Sequence, residues 1–329
     1  MKRIVTRALA LAAGSLLVLS ACGTGGVAED PAAGAGDAAD GAARDLDYAV
    51  IIHGNPDGAF WDVVKKGAED GAAQYGVNVE VTGDIEGSRQ AQLIDSAIAN
   101  EPDGIVVSMA NPDALEGSIR AATEAGIPVV TINSGDDRSA EFGAIAHFGQ
   151  PELAAGEQSG VKFREAGATK ALCLIHEAGN IGLEQRCQGF AEGFDGEVEN
   201  LQVDLNNPQG IQATVESMLL GDPDIDAILG LEASVTTNAL AGIEQSGEEV
   251  MVGSFAVDDD VMAALKDGRV LFAVDQQQYL QGYLPIAMLV LYHDNGSTLG
   301  GGRPVLTGPA FITEENVDEV EEFVAKGTR

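Results

Sequence analysis

From Tyr48 onward the apolar positions fall into two alternating rhythms. Short apolar runs occupy 48–52, 77–81, 104–107, 128–132, 171–175, 226–229, 250–252 and 270–274. Between them, segments such as 60–75, 88–100, 113–124 and 235–245 carry apolar residues three and four apart, the spacing of one helix face. Runs without period-two alternation are those of strands buried on both faces. Such strands alternating with helices predict a parallel sheet covered by helices. The passage from Pro102-Asp103-Gly104-Ile105-Val106-Val107 through a helix to 127–133 is echoed by the passage from Pro223-Asp224-Ile225-Asp226-Ala227-Ile228 to 250–255. The echo predicts two related lobes rather than one long sheet.

Open parallel sheets bind ligands beyond the carboxyl ends of their strands. The residues that follow the expected strands are therefore the candidates. They are His53, Asn55, Asp57, Phe60 and Trp61, then Ser108 and Asn111, then Asn133, Ser134, Asp136 and Asp137. In the second half they are His176, Glu177 and Asn180, then Glu232, then Asp258 and Asp259, then Asp275 and Gln276. Amides and carboxylates pair with neighbouring hydroxyls, which both donate and accept. An aromatic face covers the C–H patch of a ring. The set suits a polyhydroxylated small molecule.

Composition narrows the classes. The 329 residues suffice for one large domain or two of ordinary size, and 45% are hydrophobic. Asp and Glu number 52 against 18 Lys and Arg, a net charge of −34. A polyanion needs a basic surface, so no nucleic-acid partner is expected. The chain holds no Gly-x-Ser-x-Gly elbow, no His-Glu-x-x-His and no phosphate-binding Walker loop, so no enzyme and no cofactor are expected. Asp204-Leu205-Asn206-Asn207-Pro208-Gln209-Gly210 has a faint calcium-loop look, but Pro208 stands where a ligand is needed; it reads as a turn into a helix, and no metal is expected.

Lys2, Arg3 and Arg7 precede an apolar run at 8–19, which is too short to span a bilayer and fits a secretory signal. Leu19-Ser20-Ala21-Cys22 then resembles a bacterial lipobox. The expectation is a lipoprotein signal peptide over 1–21, lipidation of Cys22, and a flexible acidic Gly/Ala-rich tether over 22–45. The acyl chain would be the sole membrane attachment, on the outer face of the cell membrane. Cys173 in an expected strand and Cys187 in the next helix are either a disulfide or two buried thiols; an oxidising compartment favours the disulfide.

The chain from Tyr48 on resembles the substrate-binding proteins of bacterial ABC sugar importers, the ribose/galactose group of type I periplasmic binding proteins. The resemblance rests on Phe60-Trp61-Asp62-Val63-Val64-Lys65-Lys66-Gly67-Ala68, Pro102-Asp103-Gly104-Ile105-Val106-Val107, Ala125-Gly126-Ile127-Pro128-Val129-Val130, Arg186-Cys187-Gln188-Gly189-Phe190 and Asp267-Gly268-Arg269, in that order. It implies an α/β fold of two doubly wound, Rossmann-like parallel-sheet lobes joined by a three-crossing hinge. The lobes are expected at 46–147 plus 277–304 and at 148–276 plus 305–329.

By the same resemblance, Phe60 and Trp61 would sandwich a sugar ring, and Arg186 would donate to hydroxyls. Gln276 matches a hinge glutamine, with Asp275 beside it. Three positions depart from the ribose pattern: Asn133-Ser134 replaces Asp-Arg, Glu232-Ala233 replaces Asn-Asp, and Ser254-Phe255-Ala256 replaces Gly-Phe-Asp. The ligand-binding set expected is Asn55, Asp57, Phe60, Trp61, Asn133, Ser134, Arg186, Glu232, Asp275 and Gln276. Another pentose or hexose, a cyclitol such as inositol, a polyol or a furanosyl signal of the autoinducer-2 kind fits those departures. The implied partners are an ABC permease and its ATPase, with the protein itself a monomer. A ligand-presenting sensor or chemoreceptor partner is the alternative.

Overall fold

The computed structural model describes residues 43–329; the expected signal peptide, Cys22 and most of the tether lie outside them. The first lobe runs β1 (Asp47–Ile52), α1 (Ala59–Tyr75), β2 (Asn78–Gly83), α2 (Gly87–Ala99), β3 (Gly104–Ser108), α3 (Pro112–Glu124), β4 (Val129–Ile132), a short α4 (Asp136–Ser139) and β5 (Ala146–Gly149). The second runs α5 (Glu152–Ala166), β6 (Lys170–Ile175), α6 (Ile181–Phe194), β7 (Glu197–Gln202), α7 (Pro208–Gly221), β8 (Ala227–Gly230), α8 (Ala233–Ser246), β9 (Met251–Phe255), α9 (Asp259–Lys266) and β10 (Phe272–Asp275). The chain then returns as α10 (Gln278–Asn295) and β11 (Val305–Leu306), and ends with β12 (Ala310–Ile312) and α11 (Val317–Ala325).

The two six-stranded sheets have the same design. Their orders are β11-β5-β4-β3-β1-β2 and β12-β10-β9-β8-β6-β7. Neighbours pair in parallel except β12, which lies antiparallel to β10. Strand alternation sends side chains to both faces, and both faces are covered. In β1, Val50 and Ile52 pack with Val64 and Ala68 of α1 and Ile286 and Leu289 of α10, while Ile51 packs with Ile94 of α2 and Leu115 and Ile119 of α3. In β6, Cys173 and Ile175 meet Phe163 of α5 and Phe190 and Phe194 of α6, while Leu172 and Leu174 meet Ile211, Val215 and Leu219 of α7. Cys173 and Cys187 are bonded to one another, with Cα atoms 5.9 Å apart.

The chain passes between sheets at 149–151, 275–278 and 306–310. The first and last passages correct the boundaries expected at 148 and 305: β5 of the first sheet runs on to Gly149. Val305 and Leu306 pair with Phe148 and Gly149 and so belong to the first sheet; two residues were too short a run to register as a strand. The turn at 204–210 leads into α7 with Pro208 at its start and the Asn207 side chain accepting from the Gly210 N–H, as a helix cap. Among the described residues no cluster of three metal-ligating side chains occurs, and no helix is long and apolar enough to cross a membrane.

Candidate ligand-binding cleft

The carboxyl ends of both sheets face a cavity of about 570 Å³. The first lobe contributes the loops after β1, β2 and β4; the second contributes those after β6, β7, β8 and β9, together with α6 and the hinge residue Gln276. The lobes touch beside it. The Ile181 N–H at the start of α6 donates to the Ala110 carbonyl after β3 at 3.0 Å, and the Asn180 amide lies 3.5 Å from His53 Nε2.

Equivalent strands place equivalent residues. His53 follows β1 and His176 follows β6, and both line the cavity. The His53 backbone N–H and ring Nδ1 both bind the Ser108 hydroxyl, at 2.8 and 2.7 Å, which leaves Nε2 toward the cleft. His176 Nδ1 is buried without a protein partner. Burial, and then the positive charge of Arg186, lower the His53 pKa to about 3 and the His176 pKa to about 4. Both rings are therefore neutral at pH 7, each carrying one donor and one acceptor nitrogen, of which His53 has Nδ1 already engaged by Ser108. Burial raises the Glu177 carboxyl to about 7 against the opposing effect of a 2.8 Å hydrogen bond from Asn180. A carboxyl near half-protonation can also donate to or accept from a hydroxyl.

The residues directly after β4 and β9, Asn133 and Ala256, both adopt left-handed backbone conformations, with φ of 64° and 66°. Asn tolerates this region better than most residues. Its side chain donates to Gln281 Oε1 at 3.1 Å and accepts from the Ser134 hydroxyl at 2.9 Å. Glu232 caps α8: one carboxylate oxygen, Oε2, takes the Ser234 N–H, the Ser234 hydroxyl and the Val235 N–H, leaving Oε1 for the cavity.

Arg186 is the buried cation of the site. Its Nε and Nη2 donate to the two oxygens of Glu152, at 2.6 and 2.7 Å. Nη2 also reaches Gln276 Oε1 at 3.1 Å, and the guanidinium lies over the Phe255 ring with its carbon 4.7 Å from the centroid. Arg186 is 4% exposed and Glu152 2%. The bidentate pair orients the guanidinium plane and satisfies two N–H donors along one of its edges. The helices that carry the pair run close together: a Cβ on Gly189 of α6 would lie 1.9 Å from the Leu153 carbonyl oxygen of α5.

Trp61 packs over Gly54, where a Cβ would lie 2.4 Å from the indole Nε1. Its ring stands at 84° to His53 and at 81° to Phe60, with centroids 4.7 and 5.0 Å apart. The expected sandwich is thus not formed, because mutually perpendicular rings in edge contact leave no slot between parallel walls. Trp61 and Phe60 form one aromatic corner of the cleft.

Of the ten residues in the expected ligand-binding set, Asn55, Phe60, Trp61, Asn133, Ser134, Arg186, Glu232 and Gln276 line the cavity. Asp57 and Asp275 do not. Asp57 is largely exposed and accepts from Lys65 Nζ at 2.9 Å, on the first turns of α1. Asp275 is fully buried behind the hinge, where it accepts from the Gln277 N–H at 2.7 Å and from Arg329 Nε. The strand-end candidates His53, His176, Glu177 and Asn180, outside that set, also line the cavity, whereas Ser108, Asn111, Asp136, Asp137, Asp258 and Asp259 do not. Glu152 had no strand-end position to mark it: it lies in the first turn of a helix, 34 residues before its partner.

Residues 48–297 match the periplasmic binding protein domain, and the chain belongs to that family of two-lobed solute-binding proteins. It is 36% identical to a carbohydrate transporter from Acidothermus cellulolyticus 11B whose structure holds myo-inositol, with a TM-score of 0.85 over 87% of this chain and 100% of that one. It is 27% identical to the ribose import binding protein of Bacillus subtilis (strain 168), over 68% of this chain and 74% of that protein. It is 26% identical to the xylose/arabinose-binding protein of Sulfolobus acidocaldarius, over 82% and 71%. These relatives are sugar-binding transport proteins rather than enzymes.

Proposed function

We propose that the protein is an extracytoplasmic solute-binding lipoprotein that closes on a cyclitol, of which myo-inositol is the reference member, and delivers it as a monomer to an ABC permease driven by its ATPase. The observation that carries this reading is the cavity between the sheets, walled from both lobes by polar groups that between them donate and accept: neutral imidazoles, amides and a hydroxyl, with one guanidinium donor and one carboxylate acceptor. A cyclitol bears a hydroxyl on every ring carbon, so it asks for such groups all round. His53, Asn133 and Ser134 answer from one lobe; His176, Glu177, Asn180, Arg186 and Glu232 answer from the other. The departures from the ribose pattern, and 36% identity to a protein that holds myo-inositol, support a cyclitol over a pentose. The lipobox ending at Cys22 supports the anchor, and Cys22→Ala is expected to move the protein from the membrane fraction into the medium.

Trp61 is the single tryptophan and stands in the cleft wall, so ligand is expected to change its fluorescence. Titration with myo-inositol, ribose, xylose, arabinose and galactose, with melting followed in parallel, tests the reading. A saturable signal and a raised melting temperature with myo-inositol are expected, by mass action on the folded form. Saturation by a pentose or hexose and silence with myo-inositol would replace the cyclitol and leave the sugar-binding role. Silence with every compound would remove both.

A further inference from the structure

Two large apolar side chains at the cleft remain in water although the lobes are in contact. Ile85, in the loop after β2, is 57% exposed, and Leu205, in the loop after β7, is 39% exposed. Both line the cavity, one from each lobe, at equivalent places in the two sheets. The Ile181–Ala110 hydrogen bond already joins the lobes, so contact between the lobes does not itself cover them. The polar groups of the ring site lie at the ends of β1, β4, β6 and β8 and on α6, while beside the two apolar side chains Asp84 and Asn206 also line the cavity. A fully hydroxylated ring set against Ile85 and Leu205 would lose water from its hydroxyls and gain no partner from those two side chains.

Volume points the same way. A cyclitol has twelve heavy atoms. Even at the share of about 30 Å³ that liquid water gives each molecule, they fill at most about 360 Å³. The cavity holds about 570 Å³. The remainder accommodates more than the ring.

We propose that Ile85 and Leu205 form a second, apolar subsite at the mouth of the cleft, which takes an O-alkyl substituent on the ring, so that the preferred ligand is an O-methylated or otherwise O-alkylated cyclitol. This rests on the cyclitol reading above and narrows its ligand class. Each methyl group buried between the two side chains favours binding about fourfold.

The test is calorimetric titration of the protein with myo-inositol and with the positional isomers of mono-O-methyl inositol, repeated on the Ile85→Ser/Leu205→Ser variant. At least one ether is expected to bind about fourfold tighter than myo-inositol. The variant is expected to lose that preference and keep the myo-inositol affinity, which also reports that it is folded. Ethers that bind no tighter than myo-inositol, or a preference that survives in the variant, would overturn the subsite and leave the cyclitol reading intact. Failure of myo-inositol and all its ethers to bind would overturn both.

Discussion

Arg186 has two duties that substitution can separate. It faces the cleft, and it neutralises Glu152 inside the protein. Arg186→Ala is expected to abolish ligand binding, as the sequence suggests, and also to destabilise the fold by about 3–5 kcal/mol, because it strands a buried carboxylate. An Arg186→Met/Glu152→Met double variant removes both charges, and urea unfolding is expected to show most of that stability recovered while binding remains absent. A double variant as unstable as Arg186→Ala, or one that binds, would show that the pair does not divide in this way. The buried histidines make a separate prediction. His147 donates to or accepts from the Thr131 hydroxyl at 2.9 Å, and burial lowers its pKa to about 4. The unfolded chain takes that proton near pH 6.5, so the stability His147 contributes is full above that value and is lost as the pH falls toward 4. His53 and His176 act in the same direction; Glu177, raised to about 7, acts in the opposite one, losing stability as the pH rises from about 4.5 toward 7. Between pH 7 and 5 the melting temperature of His147→Gln is expected to fall less than that of the parent. Such pairings set the limit of sequence reading at this scale. Strand-end position exposes a candidate such as His53, but whether an acid lines the cleft, as Glu232 does, or lies buried behind the hinge, as Asp275 does, depends on partners far along the chain.

Helices α5 and α6 meet through glycines on both sides. Gly156 faces the Arg186 carbonyl, with a Cβ position 2.1 Å from that oxygen, and Gly189 faces Leu153 just as closely. This approach sets Glu152 against Arg186, and thus sets the guanidinium plane in the cleft. Gly189→Ala adds a single methyl group that has nowhere to go but against backbone, so the helices must separate. The expected cost is about 1–3 kcal/mol of stability, read by urea unfolding, together with weaker ligand binding as the pair shifts; unchanged values for both would mean that the helices yield freely. Elements of this kind were legible in the sequence where burial is two-sided. The runs that became β1, β3, β4 and β6 show it, as do the helical faces of α1 and α3. Strand β7 was not legible, because Glu-Val-Glu-Asn-Leu-Gln is a polar edge with only Val198 and Leu201 half-buried. Strand β5 was missed because four residues that include a histidine make no distinctive run, and β11 and β12 because pairing alone defines strands of two and three residues.

The described residues form two sheets with three short crossings between them, and the response to ligand depends on what else joins the lobes at the cleft, where Phe60 of α1 also packs against the second lobe's apolar cluster around Ala233 and Val261. The Ile181–Ala110 hydrogen bond contributes about 1 kcal/mol net, and the His53–Asn180 contact at 3.5 Å adds less. Against this stands the entropy of two lobes free to rotate about a hinge whose residue Gln277 already adopts a left-handed backbone, with φ of 53°. The empty protein is expected to sample open forms, and a ligand that touches His53 and Asn133 on one side and Arg186 and Glu232 on the other favours the closed form through that differential contact. The Ile181 amide reports the equilibrium directly, since its only acceptor is in the opposite lobe. Hydrogen exchange at this amide is expected to be at least about tenfold slower with saturating ligand, while amides within β1 and β6, paired inside their own sheets, change little. Equal protection of Ile181 with and without ligand would mean that the lobes stay closed when empty, and that the ligand enters through the mouth beside Ile85 and Leu205 rather than through an opened hinge.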